Sequence, residues 1–97
     1  MVKHIVMWKM NRENIEENLE KMKRELHSLK ADTPYVEELE VGIDYLQAPA
    51  SADIVLITSF KDQAALDSYR THPAHLKVVE FINKITTSRM VVDYEVE

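Results

Sequence analysis

Val2-Lys3-His4-Ile5-Val6-Met7-Trp8-Lys9-Met10 opens the chain with a period of two. Successive side chains of a strand point to opposite sides. Val2, His4, Val6, Trp8 and Met10 therefore share one face, and Ile5 and Met7 sit between Lys3 and Lys9 on the other. Both faces carry apolar residues, so both need a cover. Outward from this strand, Asn11 can cap a helix over residues 13–30. Its Ile15, Leu19, Met22, Leu26 and Leu29 draw one apolar stripe on a charged cylinder. Thr33-Pro34 ends it, because a residue before proline is pushed out of the helical region.

From Tyr35 to Tyr45 the sequence alternates again, with Leu39, Val41, Ile43 and Tyr45 against Glu38, Glu40, Gly42 and Asp44. That pattern predicts a strand with one wet side. Residues 47–52 read as a loop, and Asp53 to Phe60 as a third strand, apolar on both faces. Asp62 can cap a short helix carrying Ala65, Leu66 and Tyr69, interrupted at His72-Pro73. A second helical piece runs from Pro73 to about Lys84 with Leu76, Val79, Phe81 and Ile82, and Arg89 to Val96 closes the chain as a fourth strand. The order β-α-β-β-α-β over residues 1–97 predicts a single α+β domain of the ferredoxin-like class with a four-stranded antiparallel sheet. Both helical crossovers fall on one face of such a sheet. The other face would be bare yet apolar, which is uncommon on a monomer. A second identical chain covering it predicts a homodimer.

Composition narrows the partners. Lys and Arg number 12 against 17 Asp and Glu, for a net charge of −5. No Lys or Arg occurs from Ala31 to Phe60, where six acids do. Such a surface repels phosphate backbones and anionic bilayers, so neither nucleic acid nor membrane is an expected partner. No wholly apolar run is longer than the four residues of Ile54-Val55-Leu56-Ile57, which falls far short of a membrane span. With no Cys there is no disulfide, thiolate metal site or Cys nucleophile. Together with an amino terminus lacking a signal-peptide layout, this leads us to expect a cytoplasmic protein. The single Gly, Gly42, excludes glycine-rich phosphate loops.

Four His remain as candidates for chemistry. His4 lies on an apolar strand face. His72 and His75 bracket a helix break in Tyr69-Arg70-Thr71-His72-Pro73-Ala74-His75, while His27 falls on the polar side of the first helix. A His supplies a base near neutral pH, and a Tyr supplies a donor to a developing oxyanion. Tyr69 could stack with His72 while the proline re-aims His75. The structural alternatives are equally concrete: His72 as a helix cap, Tyr69 as a core aromatic and His4 as a satisfied buried imidazole. Metal ligation by His72 and His75 lacks a third ligand, and no metal is expected.

Val2-Lys3-His4-Ile5-Val6, Asp53-Ile54-Val55-Leu56, His72-Pro73-Ala74-His75-Leu76 and Val91-Val92-Asp93-Tyr94 together resemble the stress-responsive A/B barrel (Dabb) family over essentially the whole chain. The resemblance implies a dimeric α+β barrel. In one plant branch it further implies a polyketide cyclase that performs an intramolecular aldol condensation without metal or organic cofactor. Carried over by position, Tyr69 and His75 become the acid/base pair and His4 lines the same cavity. Apart from the resemblance, His72 is expected to bound that cavity too, so that His4 and His72 are the expected binding residues. Where those cyclases have a His at the start of the third strand, this chain has Asp53. The expected function is binding of a small hydrophobic or carbonyl compound, with cofactor-free acid/base chemistry by Tyr69 and His75. The alternatives are a non-catalytic, stress-related dimer and a cofactor-free monooxygenase of the dimeric barrel class.

Overall fold

A computed structural model describes residues 1–96. The elements follow as β1 (Val2–Met10), α1 (Ile15–Asp32), β2 (Val36–Ile43), β3 (Ile54–Phe60), α2 (Gln63–Arg70), α3 (Pro73–Ile85) and β4 (Thr86–Glu95). This is the ferredoxin-like order, its second crossover broken into two helices. Glu97, the last residue of the expected 1–97 domain, lies outside the described residues.

The four strands form one antiparallel sheet in the order β2-β3-β1-β4. β1 sits inside the sheet, and its alternation is resolved as the sequence requires. Val2, His4, Val6, Trp8 and Met10 are buried beneath the helices. Across β3 they meet Phe60, Thr58, Leu56 and Ile54 on the same face. α1 lays Met22, Leu26 and Leu29 onto this layer. Removing any one of these three would leave a hole worth about 2–5 kcal/mol.

On the opposite face Ile5 is paired with Ile57 and Val92, and Met7 with Val55 and Met90. Among the described residues no helix covers them. Met90 is 69% exposed and Val92 52%, so the bare apolar face expected from the sequence is present.

Several boundaries differ from the sequence reading. α1 starts at Ile15 after Asn14, which takes a left-handed conformation with φ 56° and makes no side-chain cap. The Asn11 carboxamide instead accepts from the Glu13 N–H, a turn that delays the helix. β2 ends at Ile43 rather than Tyr45. The Asp44 carboxylate accepts from the Gln47 N–H at 2.7 Å and folds the chain into a turn, leaving Tyr45 93% exposed. In α3 the buried residues are Val78, Ile82 and Ile85, while Leu76 is exposed. β4 begins directly at Thr86, and its helix-facing residues Arg89, Val91, Asp93 and Glu95 are exposed and mostly charged, as is common on an edge strand. The Asp62 cap holds as expected, accepting from the Ala65 N–H at 2.9 Å. His27 is solvent-exposed. Among the described residues no helix is long and apolar enough to cross a membrane.

Candidate functional site

A cavity of about 270 Å³ lies between the helices and the β1–β4 side of the sheet. Val6, Trp8, Leu26, Leu56 and Ile82 contribute to its apolar wall, and His4, Tyr69, Arg70, His75 and Asp93 form a polar cluster within it. The break between α2 and α3 sets the arrangement. A helix leaves its last carbonyls without partners. Pro73 starts a new helix after Thr71 and His72, and this returns His75 to the end of α2, where its Nδ1 lies 2.9 Å from the Arg70 carbonyl oxygen. A carbonyl only accepts, so Nδ1 carries the proton and the neutral ring keeps its lone pair on Nε2.

Tyr69, in the last turn of α2, is fully buried against Phe60, with centroids 4.9 Å apart, and against His75 at 4.4 Å. Its hydroxyl is a buried polar atom with no hydrogen-bond partner, the one such side-chain atom among the described residues. Buried polar groups are nearly always bonded, so this phenol stands out. Burial pushes it well above the usual tyrosine range and keeps it protonated as a donor.

His4 stands edge-on to Tyr69 at 6.4 Å. Its Nδ1 meets Asp93 Oδ1, and Arg70 holds the other oxygen of that carboxylate. Burial alone would raise Asp93. The bonds and charges of His4 and Arg70 nevertheless hold it below the ordinary carboxylate value. Burial lowers His4 and outweighs the opposing pull of Asp93. The same desolvation lowers His75, against the raising effect of the Arg70 carbonyl, and the charges of His4, Arg89 and Arg70 add to it. Both imidazoles are thus biased toward the neutral form.

His72 is placed elsewhere. Its Nδ1 accepts from the Ala74 N–H at 3.1 Å, capping α3, and its ring meets Tyr35 edge-on at 6.2 Å. It is not among the residues lining the cavity. The expected stacking of Tyr69 on His72 is replaced by Tyr69 on His75, because the extended backbone of His72 turns the cap away from α2. His72 and His75 therefore face different neighbours. Asp53 also lies off the cavity, accepting from the Met10 N–H at 2.7 Å and pairing with Arg12. The position at which this chain departs from the plant cyclases thus ties the start of β3 to the end of β1.

A family model for the stress responsive A/B barrel domain matches residues 2–96. The chain belongs to the Dabb family. No curated protein matches it. Among solved structures, a dimeric protein of unknown function with a ferredoxin-like fold from Bacteroides fragilis is 30% identical, with a TM-score of 0.82 over 98% of this chain and 95% of that one. A hydroxynitrile lyase from Passiflora edulis is 17% identical, with a TM-score of 0.86 over 99% and 93%. An antibiotic biosynthesis monooxygenase is 21% identical, with a TM-score of 0.80 over 100% and 99%. At these lower identities the likeness is one of fold.

Within this Dabb chain the structure brings Tyr69, His75 and His4 together and leaves His72 apart. Sequence reasoning missed Asp93 and Arg70. Their signal was topological: β4 runs beside β1, so Asp93 falls opposite His4, 89 residues away.

Proposed function

We propose that this Dabb protein is a cytoplasmic homodimer whose protomers each bind a small carbonyl compound and move a proton at the carbon beside its carbonyl. One observation carries the reading: the buried Tyr69 hydroxyl, without a protein partner, sits on a ring packed against His75. A ligand oxygen would satisfy that donor. The neutral Nε2 of His75 would take a proton from the α-carbon as the C–H electrons move into the carbonyl, forming an enolate. The Tyr69 hydroxyl would donate to the enolate oxygen without giving up its proton. The enolate carbon could then attack a second carbonyl of the same molecule, forming a C–C bond, and the new alkoxide would recover the proton from His75. His4, held by Asp93, would fix the cavity floor.

The dimer is supported by the uncovered apolar residues of β1, β3 and β4 and by the dimeric Bacteroides relative. A purely structural dimer would use that face and leave the buried phenol unexplained. The fold also hosts a monooxygenase and a lyase, and fold does not carry substrate. The direct test is deuterium uptake from heavy water into the α-position of a simple ketone, followed by proton NMR. Protein-dependent exchange that disappears in His75→Ala is expected. Exchange no faster than buffer, or unchanged in His75→Ala, would refute the proposal.

A further inference from the structure

The cavity has a direction. Along β4 the residues facing it are Asp93, Val91 and Arg89, opposite His4, Val6 and Trp8 of β1. Asp93 and Arg89 are four strand positions apart, or roughly 13 Å between their Cα positions. On the facing helix His75 and Asn83 both line the cavity, eight residues or about 12 Å apart. α3 and β4 meet at Ile85–Thr86, so Asn83 and Arg89 lie toward that corner while His75 and Asp93 lie at the far end. The polar cluster therefore occupies one end, an apolar stretch of Val6, Val91 and Val79 the middle, and the exposed residues Arg89 and Asn83 the other end.

The two arginines of the lining differ. Arg70 is committed to Asp93. Arg89 has no acidic partner and no side-chain hydrogen bond among the described residues. It stands where the alternation of β4 points a side chain toward the cavity, in a chain whose net charge is −5. Its charge reaches both His4 and His75 and opposes their protonation.

We infer that the ligand is an anion: a carbonyl compound whose carboxylate sits on Arg89 and Asn83, separated from the carbonyl at Tyr69 and His75 by an apolar spacer of several carbons. This rests on the proposed carbonyl site and adds the chemical class it accepts. Arg89 is the specificity residue, for a planar guanidinium matches a carboxylate with two parallel donors.

The test compares 6-oxoheptanoate, its methyl ester and 2-heptanone by isothermal titration of the intact protein at low and at physiological salt. The keto acid should bind about tenfold more tightly than the ester, the gain expected of one charge-assisted contact. That gap should narrow with added salt and vanish in Arg89→Gln, while 2-heptanone binds both proteins equally. Equal affinity for acid and ester in the unaltered protein overturns the anion assignment and leaves the carbonyl site standing. A preference that survives in Arg89→Gln overturns the role of Arg89. Failure of all three compounds to bind overturns the carbonyl site and the anion assignment together.

Discussion

His72 meets Tyr35 edge-on, with ring centroids 6.2 Å apart, and His75 lies tilted against Tyr69 at 4.4 Å. The two pairs flank the same proline and use the same residue types, yet they occupy different surroundings. Tyr35 is half-buried, and His72 spends its Nδ1 lone pair on the backbone N–H of Ala74. Tyr69 is fully buried with a free hydroxyl, and His75 donates through Nδ1 and keeps Nε2 unspent. What separates a cap from a candidate site is the account of donors and acceptors. A histidine that gives its lone pair to a helix terminus has none left for a substrate.

The largest expected effect tests that difference by alanine replacement. His75→Ala should lower α-proton exchange by about 10²–10⁴-fold, the usual worth of a positioned base. His72→Ala should leave the rate per folded molecule unchanged and cost about 1 kcal/mol of stability, as loss of an N-cap does. Exchange rates beside urea midpoints for the two variants decide the matter, and equal rate losses would erase the contrast. Next in size is removal of the hydroxyls. Tyr69→Phe should slow exchange by about 10²-fold, in line with a lost oxyanion donor. Its stability should hold or rise slightly, because an unpaired buried polar atom is removed. Tyr35→Phe should change neither exchange nor ligand affinity. A large stability loss in Tyr69→Phe would mean that its hydroxyl already has a partner.

How far the sequence carried this picture follows from the range of each interaction. The faces of β1, the stripe of α1 and the Asp62 cap are local, and period and residue type sufficed for them. The pairing of Tyr69 with the second rather than the first histidine required the path of the chain through Thr71–Pro73, which spacing alone left open. Asp93 and Arg70 were invisible because they act only after β4 has docked beside β1. Asn14 and Tyr45 show the same limit at smaller scale: the Asn11 and Asp44 side chains captured backbone N–H groups and moved element ends by two residues.

A smaller effect should appear in the pH dependence of stability. His4 and His75 both have folded-state pKa values below 6.5, chiefly through burial. The unfolded chain then binds more protons than the folded one between those values and 6.5. Their stabilising contribution is complete above about pH 6.5 and is lost as pH falls through the folded values, by at most about 1.4 kcal/mol per pH unit for each group. Asp93, also lowered, adds a second loss below its ordinary value of 3.8. Urea midpoints from pH 8 to 4 should decline through this range, and His75→Gln should flatten the first part of the decline. A flat profile in the unaltered protein would contradict the burial of both rings. The smallest effect belongs to Arg70→Gln. The Arg70–Asp93 pair is half exposed on the arginine side, so its loss should cost no more than about 1 kcal/mol.

The free hydroxyl of Tyr69 beside His75 is the centre of this account, and ligand-induced chemical shifts in tyrosine- and histidine-labelled protein test it most directly. On titration with 2-heptanone, the resonances of Tyr69 and His75 should move together and saturably while those of Tyr35 and His72 stay in place. Shifts confined to Tyr35 and His72, or none at any ketone concentration, would contradict it.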